Sequence, residues 1–324
     1  MKLLASLLLT TAVMACTSSV SAQAWPAKPI RLLVPLAAGS TADIVSRAVA
    51  AELGKQLGQT VVVENKPGAG GTIAMAEVAR AQPGDGYLIS FASQGTLVFN
   101  QALYAKPGYD SLKDFTPLAF VGGVSNVMIV PPTSAAKTPA DVVSAAKAKP
   151  GQATFSSGGS GTSHHLSGVL FGRLTGSELL HVPYKGAPQG IFAVMAGEVA
   201  MGFFNTPTVI AQVREGKVKA LGVTSLARSP LLPDVPTLDE QGIKGYEMNT
   251  WFGFIAPAGL APEIASRLNS ELNRVLAQPE LRDKLAAQGF ELVPGMAPAA
   301  FGKIIADDMK KWVPIVKASG AVAD

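Results

Sequence analysis

Short runs of branched and aromatic residues alternate along this chain with stretches whose apolar positions recur every three or four residues. Ile30 to Pro35 reads as a buried strand. Ala37 to Ser40 turns the chain, and Ile44, Val45, Ala48, Val49, Leu53 and Leu57 share one face of a helix predicted over Thr41 to Leu57. Ser40 followed three residues later by Asp43 is a capping-box pattern at its start. The unit repeats with a strand over Thr60 to Asn65, a glycine turn over Pro67 to Gly71, a helix over Thr72 to Ala81 and a strand over Tyr87 to Ala92.

At Phe115 the pattern changes to a run ending in Gly122-Gly123, and a new apolar strand starts over Asn126 to Pro131, which predicts a crossing into a second domain. A helix over Pro139 to Lys149 leads to a short strand from Ala153, a glycine-serine loop and a further helix start. Strands over Leu179 to Pro183, Val199 to Phe204 and Val218 to Thr224 then alternate with helices over Pro188 to Ala196 and Pro207 to Glu215. Ser229 to Pro236, with three prolines, marks the way back. Tyr246 to Ala256 is extended, and helices over Pro262 to Ala277, Glu280 to Ala287 and Phe301 to Ser319 are expected to pack on the first domain. Strand-helix alternation predicts an α/β protein with largely parallel sheets. Two lobes are expected, 25–123 plus 228–324 and 124–227, with a cleft between them.

The chemistry gathers at the loop from Ser157 to His165. Gly158, Gly159 and Gly161 permit close backbone approach, and Ser160, Thr162 and Ser163 are natural helix caps. The first amides of a helix lack internal partners and carry partial positive charge, so such a turn seats a carboxylate or phosphate without lysine or arginine. Leu36 to Asp43 is a second strand-to-helix turn of the same kind.

Composition narrows the classes. The chain has 324 residues, 48% hydrophobic and 15% charged, enough for two domains. Lys2, an apolar run and Ala22-Gln23-Ala24 resemble a secretory leader over residues 1–24, so the mature chain is expected to begin near Trp25. Cys16 lies inside that leader, and cleavage before it would leave a lipid-bearing terminus in place of a free one. No disulfide framework or thiolate chemistry is available. Without Lys2 the formal charge falls from +4 to +3, and there is no basic stripe with aromatics, which argues against nucleic acid.

Several catalytic and cofactor patterns fail. Gly68-Ala69-Gly70-Gly71 resembles a dinucleotide loop, but Ile73 stands where the third glycine belongs, and no acid lies near Ser90. A structural turn is the better reading. His164 and His165 point about 100° apart on a helix, so they do not grip one ion, and His181 is the only other histidine. Gly158-Gly159-Ser160-Gly161-Thr162 misses the nucleophile elbow at its last position. No cofactor, metal or catalytic residue is expected.

Trp25-Pro26, Val34-Pro35-Leu36-Ala37-Ala38-Gly39 with Asp43 and Arg47, Glu64 through Gly71, Ser160-Gly161-Thr162 with His165-Leu166, Val182-Pro183-Tyr184-Lys185-Gly186 and Trp251-Phe252-Gly253 together resemble the receptors of tripartite tricarboxylate transporters, the Bug-type solute-binding proteins. The resemblance implies a two-lobed periplasmic binding protein that encloses a ligand by hinge closure. It also implies a carboxylate pinched between two loops, one per lobe. Leu36, Ala38, Gly39, Ser40, Thr41 and Asp43 would form one side, with Asp43 bracing its own loop. Ser157, Ser160, Gly161, Thr162 and His165 would form the other. Ser93, Asn100, Tyr184, Asn205 and Trp251 are candidates for the distal wall. The family usually carries an aromatic at position 36, glycine at 40 and commonly aspartate at 205, where this chain has Leu36, Ser40 and Asn205. The expected protein is a monomeric periplasmic receptor that delivers a small organic acid to membrane permease subunits. The alternatives are a sensor for a signalling kinase and an exported hydrolase.

Overall fold

The computed structural model describes residues 25–81, 84–318 and 321–323; the expected leader lies outside them. Strand β1 (Ile30–Val34) leads through a tight turn into helix α1 (Thr41–Leu57), and β2 (Val61–Asn65), α2 (Thr72–Arg80) and β3 (Leu88–Ser93) follow. β1 runs parallel to both β2 and β3. Its residues are hydrophobic almost throughout because both faces are covered. Ile30, Leu32 and Val34 pack with Val45, Val49 and Leu53 of α1, whereas Leu33 packs with Met75 and Val78 of α2.

Gly95–Phe99 forms a π-helical turn continued by α3 (Asn100–Leu103), an element that the apolar pattern does not predict. Next comes β4 (Phe115–Val130), one strand of 16 residues where a break at Gly122-Gly123 was expected. The glycines shift the register between Phe120 and Gly122 without ending the strand. An added Cβ at Gly122 would stand 1.8 Å from the Glu291 carbonyl, so the close approach of a neighbouring chain explains the glycine.

The chain continues through α4 (Pro139–Ala148), β5 (Ala153–Ser157), α5 (Ser163–Thr175), β6 (Leu179–Pro183), α6 (Ala187–Ala196), β7 (Met201–Asn205), α7 (Thr206–Arg214) and β8 (Lys219–Val223). It closes with β9 (Asn249–Pro257), α8 (Pro262–Leu276), α9 (Pro279–Ala286), β10 (Glu291–Leu292) and α10 (Pro298–Ala318). The strand order is β2-β1-β3-β9-β4-β7-β5-β6. Both outer groups, β2-β1-β3 and β6-β5-β7, are parallel as expected. The middle is antiparallel: β4 pairs with β9 over its first part and with β7 and β8 over its second. Outward and returning strands lie side by side, so they must run in opposite directions.

The proline-rich segment does not lead back where the sequence suggested. Val223 N donates to Pro236 O and Leu238 N to Val223 O, and Leu238, Ile243, Tyr246 and Met248 are buried. The Tyr246 ring packs on Phe171 and Phe203 while its hydroxyl donates to Ser167 O at 2.7 Å. Prolines interrupt helix and strand here, but the apolar side chains between them find burial on the nearer sheet, and the chain returns only in β9. The C-terminal helices pack on the first set of strands, as expected. α8 lies against α1 and β4, and α10 places Phe301 on Phe120 and Trp312 on Phe99.

Candidate functional site

The turn between β1 and α1 is held by its own polar groups. Ser40 caps the helix by accepting from Asp43 N at 3.3 Å. The Asp43 carboxylate reaches past Ser40 to accept from Gly39 N at 2.9 Å, because Ser40 N is already bonded to Ala37 O. Arg47 lies 2.9 Å from the other Asp43 oxygen. Burial pushes this carboxyl up, but hydrogen bonds from Arg47 and Gly39 outweigh it and hold it below the usual carboxylate range. Asp43 is a buried brace for the turn.

The turn between β5 and α5 is braced more heavily. Gly158 N donates to His164 Nδ1 at 3.3 Å, Gly159 N to Ser157 Oγ at 3.0 Å and Gly161 N to His165 Nδ1 at 3.3 Å. Thr162 caps α5, accepting from His165 N at 3.4 Å and donating to Gly159 O at 2.7 Å. Several amides expected to face a ligand are therefore occupied by the loop's own side chains. Ser160 is different, because neither its amide nor its hydroxyl has a hydrogen-bond partner among the described residues.

The histidines serve this bracing. With Nδ1 of His164 accepting, Nε2 carries the proton and donates to Asn205 Oδ1 at 3.1 Å. His165 stacks on His181 with ring centroids 4.0 Å apart, and His181 Nε2 lies 2.6 Å from Ser157 Oγ. Burial holds all three rings neutral, lowering His164 and His181 to about 4 and His165, which also faces His181, to about 3.

The two turns meet. An added Cβ on Gly70 would stand 2.1 Å from Ser160 O, one on Gly95 2.6 Å from Gly161 O, and one on Gly186 2.6 Å from Ala37 Cβ. Thr41 Oγ1 donates across the same boundary to Asn205 Oδ1 at 3.2 Å. Between the turns lies a cavity of about 500 Å³ lined by Leu36, Ala37, Pro67 to Gly71, Tyr104, Gly158 to Ser160 and Pro183 to Lys185. Its wall contains one cation, Lys185, and no carboxylate. Lys185 makes no ion pair among the described residues.

Of the expected site residues, Leu36, Ser160 and Tyr184 line this cavity. Ala38 and Gly39 are exposed beside it, with Gly39 against Pro188. Ser40, Thr41, Thr162 and Asn205 are buried just behind it, and Gly161 is pressed against Asn100 of the opposite side. Ser157 and His165 stand deeper. His165 opens instead onto a separate cavity of about 640 Å³ that it shares with Phe155, His181 and Arg173. Ser93 is tied up with Thr96 at the base of the π-turn. Trp251 is not in the cavity: its ring packs on Phe301 and its Nε1 donates to Asp308 at 2.6 Å.

The segment from Pro67 to Gly71 forms part of the wall, although its glycines read as a plain structural turn. Gly68, Ala69, Gly70 and Gly71 all have positive φ, Ala69 at 44° without being glycine. Only a backbone free of side chains at Gly70 lets Ser160 approach. A repeated strand–glycine turn–helix unit was the available signal, because it places this turn beside Leu36. Tyr104 carried no such signal.

A family model described as the tripartite tricarboxylate transporter family receptor matches residues 45–321. The chain belongs to that family. Protein BugT of Bordetella pertussis is 33% identical over 321 residues, 99% of this chain and 98% of the relative. Among solved structures, Rpa4515 of R. palustris with adipate is similar at TM-score 0.87 and 31% identity, covering 91% of this chain and 98% of that one. MatC from Rhodopseudomonas palustris with bound malate is similar at TM-score 0.86 and 31% identity, covering 90% and 100%. The fold is thus the expected two-lobed periplasmic binding protein fold, with the cavity in the cleft between lobes. The chain is a solute-binding receptor of its family and not an enzyme, which removes the hydrolase alternative. No helix among the described residues is long and apolar enough to cross a membrane.

Proposed function

We propose that this receptor captures a small carboxylate-bearing acid in the cleft and presents it to the permease of a tripartite transporter. The observation that carries the reading is the cavity itself, whose wall is loop backbone, a free serine amide and hydroxyl, one unpaired cation and no acid. Such a wall favours an anion over a neutral or cationic solute. Adipate and malate in the two related structures are acids of the expected size.

Lobe 1 comprises 25–123 with 249–318 and lobe 2 comprises 124–248, since the segment after β8 packs on the second set of strands. Closure brings the turns together, and a ligand touching both favours the closed form by its differential contacts. Ser160 is the principal contact on lobe 2, with the turn at Leu36 and Ala37 and the Gly68–Gly71 turn facing it from lobe 1. The leader over residues 1–24 exports the chain to the periplasm, where it acts as a monomer. A thermal-shift screen of organic acids tests the ligand class. An acid at 100 times its dissociation constant adds about 2.7 kcal/mol of stability. Shifts with neutral sugars or amines and none with any acid would reject the reading.

A further inference from the structure

The cavity of about 640 Å³ that His165 shares with Phe155 and His181 has no wall residue in common with the cleft cavity. Its two histidines each spend one ring nitrogen on the cleft loop. His165 Nδ1 accepts from Gly161 N, so the proton of this neutral ring sits on Nε2. Ser157 Oγ accepts from Gly159 N at 3.0 Å, and its own proton finds one acceptor among the described residues, His181 Nε2 at 2.6 Å, which leaves the His181 proton on Nδ1. Neither His165 Nε2 nor His181 Nδ1 has a hydrogen-bond partner among the described residues, and neither is sealed off from open space. His165 is 4% exposed, so the space its free edge meets is that of the cavity.

We propose that this cavity is a second binding site, for a small oxyanion held by His165 Nε2–H and His181 Nδ1–H, and that its occupant steadies the cleft loop. Both free edges are donors, and the ring lone pairs are spent on Gly161 and Ser157, so a metal ion finds no ligand in them. Rings stacked 4.0 Å apart and 14° from parallel do not aim at one atom, whereas a group with several oxygens serves both. A charged acceptor makes the stronger bond to each. The carboxylate of Glu178, the one acid in the wall, is turned to Gly151 outside it, where an added Cβ would meet Oε1 at 3.5 Å. Each ring then couples the anion to the loop. An acceptor on His165 Nε2–H makes Nδ1 a better acceptor for Gly161 N, and the same holds from His181 through Ser157 to Gly159 N.

The probe is inorganic phosphate, titrated into the mature protein and followed by NMR on the imidazole signals of its three histidines. Those of His165 and His181 should move saturably while that of His164, which faces Asn205, stays in place. His165→Asn keeps an acceptor for Gly161 N and His181→Gln keeps one for Ser157, but each lacks the outward donor and should bind phosphate about tenfold or more weakly. Ser160→Trp, which fills the cleft cavity, should leave phosphate binding unchanged. Phosphate should also tighten the acid that the cleft binds, and that acid tighten phosphate, by one common factor of about fivefold or more. The phosphate titration needs no cleft ligand, so it stands or falls apart from the carboxylate reading. No saturable movement of His165 and His181, or binding that Ser160→Trp abolishes and both histidine variants keep, overturns the site. Acid affinity unchanged or lowered by phosphate overturns the coupling.

Discussion

Gly95→Ala separates lobe closure from folding, because its two effects fall on different states. Gly95 opens the π-helical turn of lobe 1, and its φ lies outside the left-handed region, so alanine meets no backbone strain. Its new Cβ would stand 2.6 Å from Gly161 O of lobe 2, whereas ordinary contact begins at 3.4 Å, so the lobes must part by roughly 0.8 Å. Overpacking of this kind costs about 1–3 kcal/mol. Under the hinge closure proposed above, the cost falls on the closed state and is expected as about 5- to 150-fold weaker ligand binding. In the open protein, replacing glycine by alanine within a helical turn stabilises by up to about 1 kcal/mol. The variant should melt at or above the wild-type temperature without ligand, and bind adipate, or whichever acid the screen selects, more weakly by calorimetry. Unchanged affinity would refute closure against Gly161, and a melting temperature that falls along with affinity would assign the contact to folding.

Three further outcomes follow from the geometry. Thr41→Val keeps the shape of the side chain but removes the hydrogen bond to Asn205 across the cleft, and should weaken binding by about 2- to 12-fold for a loss of about 0.5–1.5 kcal/mol; no change in calorimetric affinity would take this bond out of closure. Trp251→Phe removes the donor to Asp308 and should lower stability by about 1.5–3 kcal/mol in urea unfolding, with ligand affinity retained; a matching loss of affinity would return Trp251 to the site. Because the folded pKa values of His164, His165 and His181 lie at about 3 to 4, below the ordinary value, the unfolded chain takes up protons first as pH falls. Their contribution to stability is complete above about pH 6.5 and is lost between there and about pH 4, by at most about 1.4 kcal/mol per histidine per pH unit. Urea midpoints that stay level from pH 7.5 to 5 would show that these rings are not buried neutral.

Local pattern alone fixed most elements and both strand-to-helix turns, since apolar periodicity and cap residues act within a few positions of one another. The helix over Thr41 to Leu57 and the strand over Leu179 to Pro183 needed nothing else. Tertiary contacts decided what the same pattern left open. Gly122-Gly123 looks like a terminus until a neighbouring strand is seen to need the space, and Ser229 to Pro236 looks like a return until Tyr246 is found buried on the second lobe. The site divides in the same way. That the glycine-serine loop would open a helix was legible from its composition, and Gly158 to Ser160 line the cavity, whereas the amides of Gly158, Gly159 and Gly161 turned out to be occupied by His164, Ser157 and His165, two of which follow in the next helix. Gly70, Tyr104 and Lys185 enter the wall from three separate parts of the chain. Their meeting is a product of lobe packing, an interaction between residues too far apart in sequence for any local pattern to register.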